Sequence, residues 1–286
     1  MRIPQHWANE SFTGQDRDGK EQTFRAWGWS FESLRAARDD ALARARRIFD
    51  CLVSGRRPES YEYLRQPLRE EIVQSVQVGE KAVGVVTRNR YGALVLNSSS
   101  VLFADVDFPP ARSRGLLDSL RLALSSARRA QRAQELRDAT LDGVRAWVRA
   151  HPRSCRVYRT LAGLRVLFTD RLYDPVSAET RAILAELESD ALYRRLTEQQ
   201  QCFRARLTPK PWRCGCKTPP NRYPWPTPQA EQAYRQWERQ YAEKTRSHKT
   251  CELIEAIGVP SPAEEIQAII RLHDGMACDR PGTMLA

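Results

Sequence analysis

Two aspartates separated by one residue, Asp105-Val106-Asp107, close an otherwise apolar run, Val101-Leu102-Phe103-Ala104. On a strand, residues i and i+2 share a face, so both carboxylates project together from the same end of that run. Two adjacent carboxylates resist joint ionisation, and a divalent cation relieves the conflict. Mg²⁺ is commonly held by one or two carboxylates together with substrate phosphates. Asp105 and Asp107 are therefore the candidate metal ligands, with Mg or Mn as the cation. The plainer alternative is a strand end capped before Pro109-Pro110.

Two arginine-bearing segments supply the opposite charge. Tyr158-Arg159-Thr160-Leu161-Ala162-Gly163-Leu164-Arg165 reads as two strands joined by a glycine-containing turn. It offers Arg159, Thr160 and Arg165 as guanidinium and hydroxyl ligands for phosphate. In Arg204-Ala205-Arg206-Leu207-Thr208-Pro209-Lys210-Pro211-Trp212-Arg213, strand alternation puts Arg204, Arg206 and Thr208 on one face. Lys210 and Arg213 extend that patch, and Trp212 offers a ring on which a base could stack. Solvated arginines on an ordinary hairpin and a charged strand edge are the competing structural readings. Cys214-Gly215-Cys216, with Cys202, His248 and Cys251, has poor zinc-ligand spacing, so zinc is not expected. His6, His151, His248 and His273 sit in unrelated contexts, and no Walker or G-x-G-x-x-G loop is present.

Positioning these groups requires a mixed framework. A strand over residues 23–30 precedes a helix from about 32 to 53, opened by Ser30 or Ser33 and ended by Gly55-Arg56-Arg57-Pro58. Residues 67–72 read as a short turn or helix. Residues 82–87 and 93–96 form a hairpin through Arg88-Asn89-Arg90-Tyr91-Gly92, and residues 101–108 form the strand carrying the aspartates. Helical sequence follows, broken around 125–137 and cleaner from Asp138 or Thr140 to Ala150. Then come the 156–169 hairpin, a helix over 177–188, a strand-like stretch over 203–213, a charged helix over 229–246 and a last helical run. The order predicts an α+β fold, with a mixed or antiparallel sheet and flanking helices. An extension over 1–80, a core over 81–228 and a helical extension over 229–286 are the expected divisions.

With 286 residues, 41% of them hydrophobic and 28% charged, the chain is a globular protein and not a disordered one. It has no apolar run of membrane-spanning length and no secretory leader pattern, so a cytoplasmic protein with no membrane partner and reduced cysteines is expected. The net charge of +11, carried mostly by arginine, favours a nucleic acid or nucleotide partner.

Taken in order, these segments resemble the catalytic core of the archaeo-eukaryotic primase (primase-polymerase) superfamily, over residues 80–215. Asp105 and Asp107 match the family's Asp-x-Asp motif. The 159–165 segment resembles the second motif, with Arg165 where the family carries its phosphate-binding histidine. Asp190 matches a third acidic residue, Asp170 and Asp174 being the alternatives, and residues 203–210 look like the family's basic segment. The resemblance implies a primase-polymerase-like core and a nucleotidyltransferase that uses divalent metal and a nucleoside triphosphate on single-stranded DNA or RNA. In it, Asp105, Asp107 and Asp190 are catalytic. Arg159, Thr160, Arg165, Arg204, Arg206 and Lys210 bind phosphates, and Trp212 and Arg213 touch nucleic acid. The second reading is a catalytically degenerate nucleic-acid-binding or accessory module of the same fold.

Overall fold

The computed structural model of the chain describes residues 1, 3–55, 67–110, 125–279 and 284–286. The chain opens with an antiparallel hairpin, β1 (His6–Gln15) and β2 (Glu21–Ser30), in register Trp7↔Trp29 and Phe12↔Phe24. Helix α1 (Leu34–Val53) lies on it, its first turn capped by Ser33, whose Oγ accepts the Ala36 N–H at 3.2 Å. The helix presents a stripe of small residues, Ala37, Ala41 and Ala45, all fully buried. Opposite them, Gly28 has no room for a side chain: a Cβ there would lie 2.2 Å from the Ala41 nitrogen and 2.5 Å from the Ala37 oxygen.

Two four-stranded antiparallel sheets follow. The first runs β3 (Glu71–Val78), β4 (Lys81–Arg88), β5 (Leu94–Ser98) and β9 (Phe203–Arg206) in that order. The second is ordered β11 (Cys251–Ile257), β7 (Cys155–Thr160), β8 (Gly163–Phe168) and β6 (Phe103–Asp107). The helices are α2 (Ser126–Ala150), α3 (Ala178–Glu186), α4 (Ala191–Gln200), α5 (Pro228–Thr245) and α6 (Glu264–Ala277). A 3-10 turn spans Pro211–Cys214, and β10 (His248–Lys249) pairs in parallel with β12 (Met284–Leu285). Val86 and Leu96 of the first sheet, Phe103 and Val166 of the second, Val148 of α2 and Ile269 of α6 belong to one continuous core.

The architecture is the expected α+β one, with antiparallel sheets and flanking helices, but several local expectations are corrected. Residues 67–72 are neither turn nor helix beyond Glu70, because β3 begins at Glu71 and pairs with β4. Its polar, weakly alternating sequence suits an edge strand that buries little. Residues 126–137 do not break the helix. Ser125 caps a continuous α2, and this solvated stretch is braced by side-chain bonds from Gln131 and Arg132 to Glu135 and from Gln134 to Asp138. It lacks an apolar face because it covers little, which is why hydrophobic periodicity missed it. The strand expected over 203–213 stops at Arg206, ahead of Pro209 and Pro211, which have no N–H to donate. Strands β1 and β11 were not anticipated; β11 is an edge strand, and a bulge between Leu253 and Glu255 upsets its alternation. The expected helix over 32–53 ends where anticipated, at Val53, while residues 56–58 of its expected stop and the helical sequence over 111–124 lie outside the described residues.

The expected divisions at 80 and 228 cut through packed structure. Residue 80 lies in the β3–β4 turn, and β11 and α6 complete the sheet and core that β7 and β8 begin. The better boundary follows α1, whose contact with the hairpin forms a small separate cluster of Ala8, Ala37 and Ala41. Gly28→Ala is expected to pry α1 from the hairpin, costing at least the roughly 1–3 kcal/mol typical of overpacking. Chemical denaturation of the variant checks this; unchanged stability would contradict the close approach.

Candidate metal and phosphate site

The site is assembled at the end of β6. Asp105 pairs in register with Arg165 and Asp107 with Gly163, so both aspartates share the face that carries Arg165 on β8. Gly163 lets the strands close: a Cβ at this residue would sit 2.2 Å from the Val106 oxygen. A third carboxylate arrives with α4. Asp190 caps that helix, its Oδ1 accepting the Tyr193 N–H at 2.7 Å. Its own backbone N–H donates to the Asp105 carbonyl at 3.0 Å, which the Ser189 hydroxyl also meets at 2.8 Å. Tyr193 completes the seam by donating its hydroxyl to the Phe103 carbonyl at 2.7 Å. The proton affinity of Asp107 is raised by partial burial first, then by Asp190 and by Asp105, with Lys210 opposing. Asp107 thus stands within electrostatic reach of Asp190, Asp105 and Lys210.

Arg165 lies beneath them, with a side chain 2% exposed against 35% for that of Asp105. Its Nε donates to Asp105 Oδ1 at 3.2 Å and its Nη1 to the Arg206 carbonyl at 3.0 Å. Nη1 also lies 3.2 Å from Nε2 of His273 on α6. The other ring nitrogen of His273 faces Asp274 Oδ1 at 2.9 Å, and that carboxylate also accepts from the Tyr158 hydroxyl at 2.7 Å and from Arg156 at 2.8 Å. A buried polar relay therefore runs from Asp274 through His273 and Arg165 to Asp105. Arg165 is committed to this relay and is not poised to bind phosphate, which corrects the expectation for it. His273 was missed by sequence reasoning. Its one signal was its place on the buried stripe Ile266, Ile269, His273, Ala277 of α6.

The cationic side comes from β9 and the segment after it. Arg206 is largely buried, and no described carboxylate lies within ion-pairing distance of it; its Nε has no hydrogen-bond partner. Burial, reinforced by Arg165 and then Arg213, holds its pKa down to about 10, with Asp105 pulling the other way. Lys210 is lowered by burial, Arg206 and Arg213 and raised by Asp107. Trp212 is 50% exposed, with the Lys210 ammonium 5.7 Å above its ring and Tyr91 packed edge-on at 5.1 Å. Partly buried cations are normally paired, and among the described residues neither Arg206 nor Lys210 has an ion-pair partner.

The structure does not bring the other sequence candidates to this site. Arg204 shares a strand face with Arg206 but is locked to both oxygens of Glu70, at 2.8 and 2.9 Å, and to Asn97 Oδ1 at 2.7 Å. Arg159 pairs in register with Leu164, on the opposite sheet face from Arg165, and binds Glu252 at 2.6 Å. The Thr160 hydroxyl is used in its turn, accepting the Gly163 N–H at 3.1 Å and donating to the Gly163 carbonyl at 3.0 Å. Asp170 is held by Tyr173 and Arg153, and Asp174 caps its own turn through the Val176 N–H.

Asp105 and Asp107 share one face, but the oxygens of Asp105, Asp107 and Asp190 do not all lie within 4.8 Å of one another, so a shared cation would have to draw them together. Asp190 keeps Oδ2 free of the helix cap and Asp105 keeps Oδ2 free of Arg165, while Asp107 gains most from charge neutralisation. Among the described residues, the grouping of three metal-ligating side chains that does close to within 4.8 Å was not foreseen from spacing: Cys251, His273 and Cys278, with the two sulfurs 3.3 Å apart. There Arg165 already faces His273 Nε2. Cys214 and Cys216 pack in an aromatic cluster with Tyr234, Trp237 and Tyr241. Among the described residues, no helix is long and apolar enough to cross a membrane.

No family model, no curated protein and no solved structure matches this chain.

Two outcomes follow from the electrostatics. Because the folded-state pKa of Asp107 is raised, its ionisation costs stability as pH rises through and above the ordinary carboxylate value of 3.8. Asp107→Asn should melt above the wild type at pH 7 without divalent metal, with the difference vanishing below that value. A variant melting lower at pH 7 would contradict the clustering. Arg165→Ala should lose about 3–5 kcal/mol in urea unfolding, as removing one partner from a buried ion pair does.

Proposed function

We propose that this chain is a divalent-metal-dependent nucleotidyltransferase of the primase-polymerase kind, joining a nucleoside triphosphate to a single-stranded nucleic acid template-primer. The observation that carries the reading is the nearness of Asp107, with Asp105 and Asp190 acting on it, to Lys210 and to a partly buried Arg206 that has no ion-pair partner among the described residues. An acidic face alone suits a cation and a basic face alone suits an anion. Side by side, they suit a metal-bound triphosphate. The order of motifs along the chain supports the same reading.

In this reading Asp105 and Asp107 hold the metal, with Asp190 as a third ligand. The bound cation would neutralise charge on the attacking and leaving oxygens of phosphoryl transfer. Arg206 and Lys210 hold the triphosphate, Arg213 adds positive potential, and Trp212 offers a stacking surface for a base. Arg165 works from beneath: its Nε fixes one oxygen of Asp105. Catalysis then comes from alignment and charge stabilisation, without a dedicated proton acceptor.

A second reading, a nucleic-acid-binding accessory module without turnover, is favoured by one observation. Where the resembling family has a phosphate-binding histidine, this chain has an arginine turned inward onto Asp105.

Nucleotide incorporation on primed and unprimed single-stranded templates, with Mg²⁺ or Mn²⁺, separates the two. Wild type should extend, and Asp105→Asn/Asp107→Asn should not, while keeping its fold. Arg206→Gln should weaken triphosphate binding roughly ten- to a hundredfold, the scale of a lost charge-assisted bond. No incorporation with either metal, alongside equal template binding by wild type and the double variant, would establish the accessory module.

A further inference from the structure

A separate cleft of about 550 Å³ opens beside the site. Its walls come from the N-terminal hairpin, the segment entering β3, the β4–β5 turn, α4 and residues 221–223. Five arginines line it. Two are neutralised from behind: Arg88 by Glu71 and Glu238, and Arg204 by Glu70. Among the described residues, no carboxylate pairs with the remaining three, Arg69, Arg90 and Arg222. Arg69 is half-buried, and its pKa is lowered by burial first and then by the charge of Arg222, so the two guanidiniums are near enough to act on each other.

Aromatic side chains share the lining. Trp7 and Trp27 project from the same face of the β1–β2 hairpin, and Tyr91 and Tyr223 stand across from them. Arg69 lies 4.0 Å over the Trp27 ring and Arg90 lies 4.6 Å over the Tyr91 ring. The turn carrying Arg90 and Tyr91 is fixed by Asn89, whose Oδ1 accepts the N–H groups of Tyr91 at 3.0 Å and Ala93 at 3.1 Å. Unpaired guanidiniums interleaved with aromatic rings are the chemistry that holds single-stranded nucleic acid, phosphates on arginine and bases on rings.

The cleft is also continuous with the candidate active site. Tyr91, on its wall, meets Trp212 edge-on, and Trp212 carries Lys210 over its ring. Leu192 and Leu196, also on the wall, belong to α4, whose cap is Asp190. We propose that this cleft is the seat of a single-stranded nucleic acid segment, which passes over the Tyr91–Trp212 pair to reach the carboxylates. The proposal rests on the transferase reading only for the direction of the strand. Binding in the cleft itself requires no metal and no turnover.

Fluorescence anisotropy with a labelled oligothymidylate, titrated at several salt concentrations without divalent metal, tests it. Wild type should bind with a salt-dependent affinity. Arg69→Gln/Arg90→Gln/Arg222→Gln should bind more weakly and with a log–log salt slope shallower by about 2, at about 0.7 for each phosphate no longer neutralised. Tyr91→Ala should weaken binding roughly 5- to 150-fold, and an abasic oligomer of equal length should bind wild type more weakly than oligothymidylate does. Arg90→Gln alone, at an exposed turn, gives a smaller shift in the same direction if the triple variant fails to fold. Wild-type affinity and slope in Arg90→Gln and in the folded triple variant would overturn the proposal. So would a wild type that binds no oligonucleotide, or one from which polyglutamate displaces oligothymidylate as well as unlabelled oligothymidylate does. Mn²⁺-dependent binding of a fluorescent nucleoside triphosphate should be unchanged in the triple variant and lost in Asp105→Asn/Asp107→Asn. Failure of the cleft is therefore distinguishable from failure of the active site.

Discussion

A guanidinium with almost no access to water must find an acceptor for its donors inside the protein, and Arg165 does so in three directions. It reaches Asp105 across one strand pair, the backbone of Arg206 on the other sheet, and His273 on the helix between. Removing any of these partners leaves buried charge uncompensated, a larger penalty than the loss of an ordinary contact. The two sheets and α6 are therefore held in one relative arrangement at the point where the carboxylates emerge. The backbone around Asp105 is fixed again from the side, by Ser189 and by the Asp190 N–H. A site whose carboxylates must hold their separation without a ligand benefits from support of this kind.

That anchoring also explains how opposite charges can share a small region without cancelling. Asp105 spends one oxygen on Arg165, and Glu70 absorbs Arg204, so both are removed from the surface balance. What remains without an ion pair among the described residues is acid on one side, Asp107 with Asp190, and base on the other, the partly buried Arg206 with Lys210 and Arg213. Burial first and like-charged neighbours second raise the pKa of Asp107 and lower those of Arg206 and Lys210. A cation relieves the first and a phosphate the second, so the two ligands should favour each other's binding.

Much of this was legible in the sequence because it is local. The i, i+2 spacing of Asp105 and Asp107 and the glycine turn before Arg165 are short-range patterns, and the strands they imply are present, whereas helix α4 and its cap at Asp190 were not anticipated. The distinction between Arg204 and Arg206 was not legible. Both alternate onto the same strand face, and only Glu70, 134 residues away, separates their fates. His273 was hidden for the same reason, since it meets Arg165 across 108 residues of chain. The edge strands β3 and β11 and the solvated half of α2 escaped because they bury too little to impose a hydrophobic period.

The most direct measurement is a crystal structure with Mn²⁺ and a non-hydrolysable nucleoside triphosphate, using anomalous scattering to locate the metal. The proposed site predicts an anomalous peak between Asp105 and Asp107, with the triphosphate against Arg206 and Lys210. A nucleotide bound elsewhere, or carboxylates without a peak at saturating Mn²⁺, would contradict it.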